Sequence, residues 1–585
     1  MDQQAGDDFP HTIDSFNRVF MDPRFPISRI GRGSLGGKAE GLVLLRQALQ
    51  SSLNPFDFPG IAVEIPVMTV ICTDVFSSFM QLNHLDVEEL SAMPDERVAQ
   101  AFQKADLPFE ILGDLRALID QVHFPLAIRS SSLLEDAVNQ PFAGIYATKM
   151  IPNSQYDADV RFRQLTQAIK LVFSSTYFKF ARDYRKSIGR SEETEKMAVI
   201  IQEMVGKRYS NYFYPELSGV ARSYNYYPMP PAKPEDGVVN LALGLGKIIV
   251  DGGITWTYSP AFPAIDPPFG SVKNLLKGTQ TKFWTVNMGE PPEYDPTRET
   301  EYMQLESLTA AEKDGSLSYL ASTYDPQSDR LSMGIGYKGP RALTFAPLLV
   351  LKELPLNDLV ISALSICEKV LKAPVEIEFA MTFNPNRFAF LQMRKTAVMT
   401  GPVTIHEREL KSKNLLAASQ NVLGNGVIDT IRDIVYTKPE IFDLKYTQEI
   451  VPDLKRVNEK LLSANLPYLL IALGRLGTSD PWLGIPIQWG QVCGAKAIIE
   501  AAQENVKVEL SQGSHYFHNI INLGVKYFLL PHNSHYKIDW DWLNQQEIVE
   551  ETRFIRHVRL PEPLLIEVDG RKSMGVIYKD GAKSG

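Results

Sequence analysis

The stretch "PVEIEFAMTFNPNRFAFLQMRKTAV", residues 374–398, sets two runs of alternating apolar and polar residues on either side of Asn384-Pro385-Asn386. Turn-forming residues between such runs predict a β-hairpin with a three-residue loop. Folding about Pro385 sets Glu376 opposite Arg394 and Glu378 opposite Gln392, all on one face, because side chains alternate along a strand. The other face pairs Ile377 with Met393 and Phe379 with Leu391, an apolar side to pack. Two carboxylates beside an amide oxygen form a hard-oxygen donor set suited to magnesium, which takes few protein ligands and completes its shell with water and phosphate oxygens. Arg394 adds a phosphate partner. The same residues also suit a solvated hairpin face with one cross-strand salt bridge, and a one-residue slip would separate them.

Two earlier stretches carry matching positive charge. In "SLGGKAEGL", residues 34–42, Gly36 and Gly37 let the backbone approach an anion, Lys38 supplies a point charge, and a helix start follows. A plain turn before a helix is the alternative. In "AIRSSSLLEDAVNQPFAGIYATK", residues 127–149, Arg129 ends an apolar run and so sits at the end of a strand, where a guanidinium can grip phosphate oxygens, with Ser130, Ser131 and Ser132 beside it. Pairing of Arg129 with Glu135 or Asp136, and a serine cap on a following helix, is the competing reading.

The whole chain of 585 residues exceeds one core, so several domains are expected. Its formal charge of -9 excludes a general nucleic-acid binder, though a local basic pocket remains open. Cys72, Cys367 and Cys493 are too scattered for a disulfide framework or a cysteine zinc site and fit a reducing compartment. The acidic start "MDQQAGDDFPHTID" has no apolar core of a signal peptide, and "LPYLLIALG" at 466–474 has the length of a buried strand. A cytoplasmic protein with no membrane partner is expected.

Along the chain, residues 1–27 read as a flexible segment. In "RIGRGSLGGKAEGLVLLRQALQSS", Leu42, Leu45 and Leu49 give a helix one face to bury, and Val- and Ile-rich strands then alternate with helical stretches. Residues 285–330 are polar and acidic and read as a solvated insertion. An amphipathic helix follows in "LNDLVISALSICEKVLKAP", then a linker near 398–412, a smaller mixed region over 412–575, and a polar tail over 576–585.

In order, "LGGKAEGL", "AIRSSSLLEDAVNQPFAGIYAT", "IIQEMVGKRYSNYFYPELSGVARS", "LALGLGKIIVDGG" and "EIEFAMTFNPNRFAFLQMRK" resemble the nucleotide-binding domain of the phosphoenolpyruvate synthase and pyruvate phosphate dikinase family. The resemblance covers about residues 28–398. It implies an α/β and α+β multidomain chain: an ATP-grasp fold with subdomains over 28–215 and 216–400, followed by a smaller swivelling phosphohistidine-like α/β domain over 412–575. It also implies ATP and Mg as cofactors. Lys38 and Arg129 would hold ATP phosphates, Gln202 and Met204 would lie in the adenine-binding segment, and Glu376, Glu378, Gln392 and Arg394 would serve metal and phosphates. The chain departs from the family pattern at Lys247, where an acidic residue is usual, at Arg222, where an apolar one is common, and in "RYSNYFYPEL".

"VLGNGVIDTIRDIVY" and "LSQGSHYFHNIINLGVKYF" resemble the family's histidine-bearing domain, with Ser514-His515 followed eight residues later by Leu523-Gly524. A neutral imidazole at a helix start is a competent nucleophile towards phosphorus, so His515 is the candidate phosphoryl carrier. The loop is divergent: Gln512 and Gly513 alter the glycine-rich turn, bulky Tyr516 and Phe517 replace small residues, and His518 lies one turn from His515. "GTSDPWLGIPIQWGQVCGAKAIIEA", residues 477–501, has no counterpart, and the family's barrel for phosphoenolpyruvate or pyruvate is not expected here. The reading is an ATP- and Mg-dependent phosphotransferase that phosphorylates its own histidine and passes the group to an unknown small molecule or protein. A homodimer is compatible with it. The rival is a regulatory protein that binds ATP without transfer; an ATP-grasp ligase is a third option, with no acyl-phosphate or amine site marked.

Overall fold

The computed structural model describes residues 13–19, 26–133, 135, 144–187, 195–228, 231–265, 272–396, 403–478, 480–502, 514–570 and 572–579. They form a mixed α/β structure with several sheets. The first sheet has five strands in the order Ile27–Ile30, Met68–Ile71, Met197–Glu203, Leu126–Ser132, Thr148–Ile151. Its strands are rich in Ile, Val and Met, and helices cover its apolar face: Phe76, Phe102 and Phe173 are at most 3% exposed.

The second sheet has six strands: Trp256–Tyr258, Val238–Ala242, Leu217–Arg222, Val375–Thr382, Arg387–Lys395 and Ala62–Glu64. The expected hairpin stands at its centre. Glu376 pairs with Arg394, Ile377 with Met393 and Glu378 with Gln392, as the alternation requires. Beyond that point a bulge shifts the register, so Phe379 faces Phe390 rather than Leu391, and the loop has four residues, 383–386, rather than three. One extra residue on one strand is what a bulge inserts, and here it is Leu391.

The helix Gly37–Ser52 buries Leu42, Leu45 and Leu49 between these sheets and the amphipathic helix Leu356–Leu371. Its entry needs glycine. Gly36 has φ +75°, and a Cβ there would collide with the carbonyl of Ser131.

The acidic stretch 285–330 is woven into the fold rather than solvated. Strands Lys282–Asn287 and Met303–Ser307 pair with each other and, through Tyr212–Tyr214 and Lys207–Tyr209, form a four-stranded sheet that absorbs the "RYSNYFY" segment. Leu317, Leu320 and Ala321 are fully buried in the core of the second sheet, and Glu301 is buried against Lys149 at 2.5 Å. Glu301 thus has a fixed cationic partner in Lys149 and a backbone donor in Asp295 N, which composition alone does not reveal.

Residues 13–19, read as part of a flexible segment, are tied down as well: Phe16 N donates to Arg29 O at 2.8 Å, and Arg18 pairs with Asp114. Residues 1–12 and 20–25 lie outside the described residues.

After residue 403 a seven-stranded sheet runs Val422–Leu423, Lys526–Leu530, Ala495–Ala501, Tyr468–Leu473, Asp433–Thr437, Ile555–Arg559, Glu547–Glu551. Its four central strands are parallel, which requires crossovers. The helices Thr447–Ser463 and His515–Asn522 supply two of them. "LPYLLIALG" supplies the fully buried central strand Tyr468–Leu473. One face packs on a four-stranded sheet that includes Met574–Tyr578, so the tail expected from 576 still contributes three strand residues. The helix-covered face joins the same apolar cluster as the first sheet, with Val435, Leu454 and Phe517 continuous with Phe173 and Tyr177. No helix among the described residues is long and apolar enough to cross a membrane.

Candidate functional site

A cavity of about 280 Å³ opens where the first and second sheets meet. Lys38, Arg129, Gln202, Met204, Glu378, Gln392 and Arg394 all line it; Glu376 does not. The cationic residues come from a helix start, a strand of the first sheet and the central hairpin, parts of the chain up to 356 residues apart in number between Lys38 and Arg394.

Lys38 is held from behind. Its Nζ lies 2.7 Å from Glu135 Oε1 and donates to Ser130 Oγ at 3.1 Å, and Glu135 is fixed by Ser132 N at 2.8 Å. Glu135 therefore pairs with Lys38, not with Arg129; Asp136 lies outside the described residues. The three serines are fully buried, and Ser131 ties the helix start to the strand by accepting from Ala39 N and donating to Leu35 O. They brace the site instead of lining it.

Arg129 crosses from the first sheet to the second. Its Nη1 donates to Leu391 O at 2.7 Å and to Gln202 Oε1 at 3.3 Å, and its Nη2 donates to Gln392 Oε1 at 3.0 Å and lies 3.8 Å from Glu378 Oε2. Leu391, the bulge residue, is the one whose carbonyl meets the guanidinium. Gln202 is 2% exposed, and its Nε2 has no acceptor among the described residues.

Glu376 has another place. Its carboxylate is fully buried and gripped by Arg222 from the adjacent strand and by Arg394, whose Nε donates at 2.6 Å. Burial alone would raise its pKa, but the two guanidiniums hold it below the usual carboxylate value. With its oxygens so engaged, Glu376 orients Arg394. Glu378 is closer to free, with Arg129 and Arg394 at 3.8 and 3.9 Å. Glu378 and the amide oxygen of Gln392 fit a small hard cation that binds few protein groups. Among the described residues no cluster of three or more His, Cys, Asp or Glu offers a different metal site.

Met204 joins Met150, Met303, Leu245 and Phe213 in an apolar cluster, and the first four line the cavity, giving one wall a face for a planar apolar group. Another wall holds Lys247, paired with Asp251 at 2.9 Å, and Glu299 from the acidic stretch. Burial would lower the Lys247 pKa, yet Asp251 and Glu299 outweigh it; burial likewise raises that of Glu299, with Lys247 only partly offsetting it. Sequence reasoning missed Glu299, Met303 and Gln488. The pairing of Lys247 with Asp251 was readable from their spacing of four.

The later region reaches the site. Gln488, from the stretch without a counterpart, lines the cavity. Gly252, next to Asp251, lies so close that a Cβ on it would stand 2.9 Å from Gly477 O and 3.6 Å from Ser514 Cβ. His515 opens the helix that Ser514 caps by accepting from Phe517 N at 3.2 Å. The side chains of His515 and His518, and all of Gln512 and Gly513, lie outside what is described. Bulky Phe517 is fully buried, with Tyr226 and Tyr227 edge-on at 5.8 and 6.4 Å and Arg222 over its ring at 5.1 Å. It fills the seam.

Comparison with known proteins gives this geometry a family. Residues 32–413 match the family described as pyruvate phosphate dikinase, AMP/ATP-binding domain. A phosphoenolpyruvate synthase of Aeropyrum pernix is 30% identical over 131 residues, 22% of this chain and 14% of that protein. The match thus spans a small part of that relative's length. With well over half of its residues matched, the chain belongs to the pyruvate phosphate dikinase AMP/ATP-binding domain family.

Proposed function

We propose that the protein is an ATP- and magnesium-dependent phosphotransferase of the dikinase type, built on an ATP-grasp clasp with a phosphohistidine-like region closing on it. The observation that carries this reading is the convergence of Lys38, Arg129 and Arg394 with Glu378 and Gln392 on one cavity. Lys38, Arg129 and Arg394 bind and orient the triphosphate, Glu378 and Gln392 would hold magnesium, and the methionine wall, with Gln202 Nε2 unpartnered among the described residues, receives the base. Magnesium, when bound, neutralises phosphate charge; positioning and charge stabilisation supply most of the rate. His515, adjacent to Ser514 at the Gly252 seam, is the acceptor: by family likeness its imidazole nitrogen bonds to the β-phosphorus, the α–β bond breaks to release AMP, and water takes the γ-phosphoryl group as inorganic phosphate, leaving the β-phosphoryl group on the histidine. The group then passes to a small molecule or protein whose identity is open.

Incubation with ATP labelled separately at the β and γ positions tests this. Acid-labile label on the wild type, absent from His515→Ala, is the expected result; ATP binding with no phosphoprotein would overturn it. That second outcome would favour a nucleotide-binding regulator, a reading supported by the single apolar cluster that joins Phe517 to the first sheet and opposes swinging.

A further inference from the structure

We infer that the cleft between the helix Ala158–Ser175 and the turn 294–302 is a second ligand site, one whose occupation is felt in the nucleotide cavity behind it. Its ligand is a small carboxylic acid with an amino or hydroxyl donor beside the carboxylate and a flat apolar body. The site stands on its own observations, whereas the coupling rests on the nucleotide reading above.

The cleft holds about 270 Å³, close to the size of the nucleotide cavity. Arg163, Gln164 and Gln167 of the helix form one wall, and Tyr294 and Tyr302 form the other. Two of these groups lack what their chemistry calls for. Gln164 is 8% exposed, yet its Oε1 has no hydrogen-bond donor among the described residues. A buried amide oxygen is costly to leave so, and a ligand N–H or O–H removes the cost. Arg163 is exposed at the mouth and has no carboxylate within ion-pair distance among the described residues. The acids of the surrounding elements are engaged elsewhere: Glu301 with Lys149 at 2.5 Å, Asp159 with Arg116 at 2.5 Å, and Asp295 Oδ1 with Thr297 Oγ1 at 2.6 Å, while Glu293 is exposed. An open guanidinium takes a carboxylate in bidentate fashion. Val160 and the two tyrosine rings leave a flat apolar surface for the rest of the ligand, and Gln167 Nε2 fixes Tyr294 by donating to its hydroxyl at 2.6 Å.

The cleft and the cavity stand back to back. On the strand Thr148–Ile151, Thr148 and Met150 line the cavity. Lys149, between them, turns to the other face, where its Nζ lies 5.6 Å from the centre of the Tyr302 ring and pairs with Glu301. The turn hangs on that lysine, whose Nζ also donates to Pro296 O at 3.0 Å. Tyr302 lines the cleft, and the next residue, Met303, lines the cavity together with Glu299. A ligand packed on Tyr302 therefore bears on a segment that is also a wall of the cavity, and close-packed groups transmit such a displacement.

L-Phenylalanine serves as the probe, with hydrocinnamate, which lacks the donor, and phenethylamine, which lacks the carboxylate, as its controls. Binding to the full chain is read by isothermal titration calorimetry. The wild type is expected to bind L-phenylalanine and to bind each control about ten-fold more weakly or worse, the loss expected for one hydrogen bond to a charged group. Arg163→Gln and Gln164→Leu should each weaken L-phenylalanine binding by a similar factor. Arg163 is exposed, so its variant keeps the fold even if the buried substitution does not. Saturating L-phenylalanine should shift the affinity of a non-hydrolysable ATP analogue by about five-fold or more in the wild type and leave it unchanged in Arg163→Gln. No binding of L-phenylalanine by the wild type, or equal binding by the wild type and both variants, overturns the site. Equal analogue affinity with and without L-phenylalanine overturns the coupling. If L-phenylalanine binds and the analogue binds none of these proteins, the nucleotide reading fails and the site stands.

Discussion

Arg129 and Glu500 show how differently the two halves of the molecule treat charge. Arg129 spreads its guanidinium over Leu391 O, Gln202, Gln392 and Glu378 and still lines the cavity. Glu500, on a central strand of the seven-stranded sheet, is fully buried with one backbone donor, Leu476 N at 3.1 Å, among Tyr227, Tyr516, Tyr527 and Arg475. Burial raises its pKa to about 7. Arg129 turns its charge to the cavity, whereas Glu500 is buried in the seam that packs against the first half. A charge facing the cavity costs little to leave unmatched by protein, since solvent or ligand answers it; a charge inside the seam must neutralise or find a partner.

The sharpest break of this comparison is Arg129→Ala. If the cavity half performs the chemistry, label transfer from ATP should fall by about a hundred- to a thousand-fold, the scale expected for one charge-stabilising donor, while the melting temperature moves little. A large drop in melting temperature with unchanged transfer would reverse the roles of the halves. Phe517→Ala tests the other side: truncating a buried aromatic ring in the seam should cost about 3 kcal/mol of stability in chemical denaturation. ATP binding should stay within about two-fold if the cavity is built by the first half.

Glu500 supplies a pH signature. Its pKa rises from 4.5 to about 7 on folding, so between those values the folded chain retains a proton that the unfolded chain releases. Stability therefore falls as pH rises through that window, by up to about 3 kcal/mol, and levels off above it. In Glu500→Gln this slope should vanish from urea titrations between about pH 5 and 7, the window set by the raised carboxyl. A wild type with a flat profile there would show that the seam does not hold Glu500 neutral. The smallest effect concerns the ion pair Lys179–Glu459, 3.3 Å long and partly exposed, which links the two halves. Glu459→Gln should change stability by roughly 0.5 kcal/mol or less, and less still in high salt.

The hairpin register at Glu376–Arg394 and Glu378–Gln392 was legible because alternation is a local property and the turn residues are its mirror. The bulge at Leu391 was not, since an inserted residue leaves no mark on an alternating pattern until its partner strand is known. For the same reason the engagement of Glu376 by Arg222 was not legible: Arg222 is 154 residues away, and only the adjacency of strands Leu217–Arg222 and Val375–Thr382 brings it alongside. The acidic stretch misled through composition. Its charge suggested solvent, but Lys149 lies under Glu301, and Glu299 reaches the cavity.

What the sequence by itself determined is therefore the set of short-range patterns: the helix carrying Lys38, the strand ending in Arg129, the polar face of the hairpin, and the ordered motifs that mark the family. Tertiary structure alone decided which of those groups share a cavity, which carboxylate is sealed by two arginines, that Gln488 joins the cavity lining, and that Ser514 stands beside Gly252. Periodicity along a strand or helix follows from backbone geometry within a few residues, whereas charge balance depends on neighbours that chain order does not set.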